Sequence, residues 1–126
     1  MPAWLRSLLH GTYARITVAT ARTADYSGTA FDTIDYDGEG LVLIDCGAVS
    51  GTTPNAVFRV TDCDTSGGTY ADVSGAVATA ITATGLRAIA IDVSAARRWI
   101  KVAAVITGTS PSFTTSEAFV GYKKNQ

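Results

Sequence analysis

The chain has 126 residues, enough for one domain with a continuous core and too few for two of ordinary size. Its residues are 47% apolar and 17% charged, and ten basic against eleven acidic side chains leave a net charge of −1. No overall field draws such a chain to phosphate backbones or to an anionic membrane surface, so neither nucleic acid nor a membrane is an expected partner. The longest apolar stretches, Leu41–Ile44 and Val102–Ile106, are strand-sized and far short of the ~20 residues of a bilayer-spanning helix.

The first ten residues, MPAWLRSLLH, carry a single Arg and no long apolar run ending at a small-residue cleavage site, so they do not read as a secretory signal. Synthesis and folding in the cytoplasm are expected. Trp4 with Leu8, and Leu5 with Leu9, stand at i,i+4 spacing and predict an extended or short helical N-terminal arm over residues 1–10 with one apolar face. An isolated helix of that length is not stable in water.

From Gly11 the pattern becomes that of strands and turns. Tyr13–Ala21 alternates and predicts a strand; residues 22–40, rich in Asp, Thr, Ser and Gly, read as irregular, with Phe31 and Ile34 as apolar anchors. Leu41–Cys46 (LVLIDC) predicts a central strand buried on both faces. The segment GAVSGTTPN breaks it, and Val57–Thr61 alternates again, so the two strands are expected to pair through that loop. Gly67-Gly68 predicts a tight turn into a hairpin strand at Tyr70–Val73, and Ala76–Ala83 is read as a further strand.

Ile89, Ile91 and Val93 share one face of Arg87–Val93, and Ile100, Val102, Ala104 and Ile106 share one face of Trp99–Thr107. After a loop at Gly108–Ser112, Phe113–Tyr122 gives the last strand. Seven or eight short strands with regular turns predict an all-β fold, an antiparallel β-sandwich of jelly-roll-like form. That domain spans residues 11–123, with a solvated basic tail at 124–126.

Candidate chemistry is sparse. Cys46 and Cys63 are too few for a disulfide framework, stand in no zinc spacing, and are expected as buried thiols. Asp62-x-Asp64-x-Ser66-Gly67 imitates the opening of a calcium loop, which makes Asp62 and Asp64 the weak metal candidates. The twelfth position from Asp62 is Val73 and not the closing Glu, so a hydrogen-bonded turn is expected and no metal.

His10 is the sole histidine and precedes the first strand; Asp32, Asp35, Asp37 and Glu39 alternate with Thr, Ile, Tyr and Gly as in a solvated turn. Arg97-Arg98-Trp99 joins two guanidinium groups to an indole, a combination frequent at protein interfaces. No nucleophile with a base partner and no phosphate-cradling glycine loop is visible, so neither an enzyme nor a cofactor is expected.

Val57–Ala76 (VFRVTDCDTSGGTYADVSGA) resembles the hairpin of small tailed-phage virion proteins, an apolar strand running into an Asp-rich Gly turn and an aromatic-x-Asp-Val return. Upstream, FDTIDYDGEGLVLIDCG before a GxVSGTTP loop is similar to the acidic stretch, buried strand and threonine-rich loop of the same proteins. The resemblance spans roughly residues 11–107 and rests on turn and strand chemistry. It implies a head-associated protein of tailed phages or gene transfer agents, of the capsid decoration or cement type. No catalytic residue comes with it; its hairpin acid cluster falls on Asp62 and Asp64, with Tyr70 and Asp72 on the return, and Cys63 departs from the pattern.

The expected partner is accordingly the major capsid protein, at the head surface of a virion assembled in the host cytoplasm, with the protein as a homo-oligomer, a trimer favoured. Trp4, Leu5, Leu8, Leu9, Arg97 and Arg98 are the expected capsid or subunit contacts. The competing readings are a carbohydrate- or receptor-binding sandwich of a fibre, using Trp99 or the Tyr26, Tyr36 and Tyr70 loops as sugar platforms, and a head–tail connector ring subunit.

Overall fold

The computed structural model describes residues 12–124; the arm expected at residues 1–10, with Trp4, Leu5, Leu8, Leu9 and His10, lies outside them. Among the described residues there are seven strands: β1 (Thr12–Arg22), β2 (Tyr26–Ser27), β3 (Phe31–Asp32), β4 (Tyr36–Cys63), β5 (Ala71–Val77), β6 (Gly85–Asp92) and β7 (Trp99–Lys123). All pair antiparallel, and no helix occurs among the described residues.

Two long strands organise the molecule. β4 has 28 residues and β7 has 25, and they run side by side from Tyr36↔Lys123 to Cys63↔Trp99. β6 pairs with the first part of β4, from Glu39↔Asp92 to Cys46↔Gly85, which places Leu41–Cys46 between two neighbours as its unbroken apolar run predicts. β5 pairs with the last part of β4 at Thr61↔Asp72 and Asp62↔Ala71, closing the expected hairpin. On β7, β2 and β3 cover the first part at Tyr26↔Ala104 and Phe31↔Ile100, and β1 covers the last part from Arg22↔Phe113 to Thr12↔Gly121.

The sequence reading placed loops where the structure has strand. Leu41–Cys46 and Val57–Thr61 are two ends of β4 and do not pair with each other; Trp99–Thr107 and Phe113–Tyr122 are likewise two ends of β7. The glycines and prolines between them lie in bulges, marked by register shifts at Cys46/Ala48, Ser50/Thr52 and Thr52/Asn55. A bulge tolerates Pro54 and Pro111, which donate no N–H to a ladder. Gly51 and Gly108 take φ of 108° and 121°, and a Cβ on Gly51 would lie 2.6 Å from the Ser110 carbonyl oxygen. Only glycine fits there.

The bulges also turn the ribbon back on itself. Tyr26 stands opposite Ala104 in the ladder, yet its hydroxyl donates to the carboxylate of Glu117. At ~3.3 Å per residue a straight β7 would hold Ala104 and Glu117 roughly 40 Å apart, far beyond the reach of one tyrosine. With β4 and β7 continuous through the bend, the hydrogen bonding gives one seven-stranded sheet in place of two separate ones.

Both ends of the ribbon feed a single core: Val42, Ile44 and Cys46 from the start of β4, Phe58 and Val60 from its end, and Ile100, Val102, Ala104 and Phe119 from β7. Phe31 packs on Tyr36 and Phe119, with ring centroids 5.8 and 5.2 Å away, while Ile34, the other expected anchor, is exposed. The strand read at Ala76–Ala83 is shorter than expected: β5 ends at Val77 and only a bridge, Ala56↔Ile81, follows. Cys46 and Cys63 are free and buried, and burial pushes the Cys46 thiol pKa up.

Candidate functional site

Three groups of polar side chains need a physical account, and the first is inside. Glu117 is buried, facing the same way along β7 as Phe113, Thr115 and Phe119. Its carboxylate accepts the hydroxyls of Thr17 and Tyr26, and its own N–H donates to Thr17 Oγ1 at 3.3 Å. Arg22 lies 4.2 Å over the Tyr26 ring. Burial, then the bond to Glu117 and its charge, push the Tyr26 hydroxyl pKa well above its ordinary value. A carboxylate is kept here only because donors meet it. The residue escaped the sequence reading, although its position in the alternation of Phe113–Phe119 marks it as inward-facing.

The second group is a clasp around the connection from β6 to β7. Arg97 donates through Nε and Nη2 to Asp62 Oδ1 at 3.1 and 3.0 Å, and its backbone N–H donates to Asp62 Oδ2 at 2.9 Å. Arg98 grips Asp32 with two bonds of 2.9 and 2.8 Å, which hold that carboxyl below the usual range, and its guanidinium lies 5.3 Å from the centre of the Trp99 ring. Asp37 accepts the Ser94 hydroxyl at 2.8 Å.

The arginine pair expected at an interface is therefore engaged within the chain, tying β7 to β4 and β3. Asp62, one of the two weak metal candidates, has both carboxylate oxygens occupied by Arg97. Among the described residues no group of three or more His, Cys, Asp or Glu could hold a metal ion.

The third group lines an open groove of about 370 Å³ beside β5, with Asp25, Tyr26, Arg59, Thr61, Tyr70 and Asp72 on its walls. Arg59 bonds Asp72 at 2.9 Å, the Tyr70 hydroxyl donates to the Ser66 carbonyl at 2.8 Å, and Lys101 Nζ stands 4.4 Å from the Tyr70 ring centre. An aromatic ring bordered by donors and acceptors suits a polar ring-shaped ligand such as a sugar. Of the expected sugar platforms, Tyr36 is buried, Trp99 lies under the Arg98 guanidinium and outside this groove, and of the two tyrosines on the groove walls Tyr26 turns its hydroxyl to Glu117 while Tyr70 stands beside Arg59, Asp72 and Lys101. Arg59 carried a readable signal, a polar residue between the inward-facing Phe58 and Val60.

The remaining feature is a surface. β1 is the terminal strand of the sheet, and among the described residues β7 is the strand that pairs with it. Tyr13 and Val18 on it are 59% and 61% exposed. A terminal strand with apolar side chains exposed along it forms a template for another chain.

The class defined by these observations is an all-β antiparallel protein whose conspicuous charges are spent on internal ties and whose open chemistry lies along one groove and one sheet edge. No family model and no curated protein matches the sequence. Among solved structures, the chain is similar to the crystal structure of the SPBc2 prophage-derived protein YomS, with a TM-score of 0.51 and 16% identity, over 87% of this chain and 91% of that one. At that identity the likeness is one of fold.

Proposed function

We propose that the protein is a non-enzymatic structural protein of a phage virion, a decoration or cement protein on the outside of the head, with the major capsid protein as its partner. The observation that carries this reading is the terminal position of β1 with its exposed Tyr13 and Val18, a strand that in sequence follows the segment bearing Trp4, Leu5, Leu8 and Leu9. A doubled-over sheet, read as a β-sandwich with a stiff core and a greasy edge, gains stability by lending that edge to neighbours. The fold shared with a prophage-derived protein supports the phage setting, and the hairpin resemblance at Val57–Ala76 supports the head. A homo-oligomer, a trimer first, matches the symmetry axes of a shell.

Deleting residues 1–10 is expected to leave the far-ultraviolet circular dichroism unchanged and to abolish co-sedimentation with capsids lacking the protein. Full occupancy by the truncated chain would remove the arm from the mechanism. The Tyr70 groove favours a second reading, glycan binding by a fibre or spike subunit. A glycan array probed with the purified protein, where Tyr70→Ala erases any signal, separates the two.

A further inference from the structure

Gly11-Thr12-Tyr13-Ala14 recurs as Gly68-Thr69-Tyr70-Ala71, a displacement of 57 residues (68 − 11). At the same displacement Gly28 meets Gly85, Ile34-Asp35 meets Ile91-Asp92, and Gly51-Thr52-Thr53-Pro54 meets Gly108-Thr109-Ser110-Pro111. Separated matches sharing one spacing are the mark of an internal repeat. The strands follow it, β1 falling on β5, β3 on β6 and β4 on β7.

The backbone repeats as well. Gly51 and Gly108 have φ of 108° and 121°, and Thr53 and Ser110 have 49° and 48°. Positive φ is rare for Ser and a genuine outlier for a β-branched Thr, so matching values at equivalent places are not expected by accident.

The ladders next to the bend, and parts of those farther out, are related by the same operation; beyond the Cys46/Ala48 bulge, which has no counterpart between Val57↔Val105 and Phe58↔Ala104, the β4·β7 ladder maps one residue out of step. Moving one partner forward and the other back by the displacement turns Ser50↔Ser112 into Asn55↔Thr107, and Val49↔Phe113 into Ala56↔Ile106. It turns Ala14↔Phe119 into Ala71↔Asp62, and Phe31↔Ile100 into Ala88↔Leu43. Each product is a pair the structure contains, and Thr52↔Thr109 returns to itself, as a pair on a two-fold axis must.

We infer that the chain is a tandem duplication, residues 11–66 and 68–123 joined by Gly67, in which two three-part β repeats interlock about a pseudo-two-fold axis at Thr52 and Thr109. The partner each repeat fits is a second copy of itself. β1, β2 and β3 pair only with β7, β5 and β6 pair only with β4, and β4 pairs with β7, so every ladder among the described residues joins one repeat to the other. Neither repeat can satisfy its own strand edges, which is the condition of an obligate homodimer, here made covalent.

The repeats have diverged in use. Tyr26 and Glu117 correspond to Ala83 and Val60, so the buried polar bridge exists in one half only. Tyr70, with Arg59 and Asp72 beside it, corresponds to Tyr13 with Ser116 and Arg15. One ancestral position thus supplies the charged groove on one side and the exposed apolar edge on the other.

Exchanging blocks 11–66 and 68–123 around Gly67, with every other residue kept in place, tests the duplication directly. A single glycine then has to join Lys123 to Gly11, which works only where those ends sit as Ser66 and Gly68 do. The exchanged chain is expected to keep the β-sheet circular dichroism spectrum and to melt cooperatively within about 10 °C of the original. A disordered spectrum or the loss of a cooperative transition overturns the inference. In the native order, Gly51→Ala and Gly108→Ala are expected to lower Tm by amounts equal within about a factor of two, since each Cβ meets a carbonyl oxygen of the other repeat, at 2.6 and 2.8 Å. A clear loss from one and none from the other also overturns it.

Discussion

Phe119→Ala is expected to destabilise the protein by about 3–5 kcal/mol, read as a shift of the urea midpoint at constant slope. The ring is fully buried, 5.2 Å from Phe31 and 4.8 Å edge-on from Tyr36. Phe31 is paired to the first part of β7 and Phe119 lies on the last, so this contact stitches the two ends of the bent ribbon together. Gly40 and Gly121 stand where the ring needs room, since a Cβ on either would come within 2.7 and 2.6 Å of it. With no side chain at those two positions able to move into the gap, the cavity persists, and the cost belongs in the upper part of the range for large-to-small changes. Phe119→Leu keeps most of the volume and should cost less than half as much. A loss under about 1 kcal/mol for the alanine variant would mean that the two ends do not meet at this ring.

Much of the fold was legible from periodicity. The unbroken LVLIDC run announced a strand with neighbours on both sides, and the alternation of Ile100, Val102, Ala104 and Ile106 announced a core face; all four are buried. Continuity was hidden, because Gly-Thr-Thr-Pro and Gly-Thr-Ser-Pro carry the chemistry of a turn and the structure uses that chemistry for bulges inside β4 and β7. Local composition cannot separate these outcomes; the partner strand decides. The ties of Arg97 to Asp62 and Arg98 to Asp32 were invisible for a related reason, as their partners are remote in sequence. The repeated GTYA, by contrast, stands in the sequence itself, and with Gly-Thr-Thr-Pro and Gly-Thr-Ser-Pro at the same spacing it marks the repeat, while the two-fold axis needs the strand pairing. The arm residues Trp4, Leu5, Leu8 and Leu9 lie outside the described chain, and the proposed function rests on them jointly with the β1 edge.

Tyr26→Phe is expected to cost about 1.5–3 kcal/mol, because it withdraws a hydroxyl from a buried carboxylate. Glu117→Leu alone should cost a similar amount, leaving the hydroxyls of Tyr26 and Thr17 without their acceptor. The double variant is expected to cost less than the sum, with a coupling of about 0.5–3 kcal/mol in a double-mutant cycle, since neither half of the bridge is then stranded. The other half of the molecule supplies the precedent: Ala83 and Val60 occupy the equivalent places, and Val60 is buried in the same core. Alkaline titration gives an independent reading. The folded chain holds the Tyr26 proton more tightly than the unfolded chain, which releases it near pH ~10. The stability from this linkage is therefore fully present below that pH and is lost as the pH climbs above it. Tyr26→Phe should flatten the alkaline decline without removing it, because burial also raises the Tyr36 hydroxyl pKa. Strict additivity in the cycle, together with an unchanged alkaline limb, would show that the bridge contributes nothing to holding the ribbon closed.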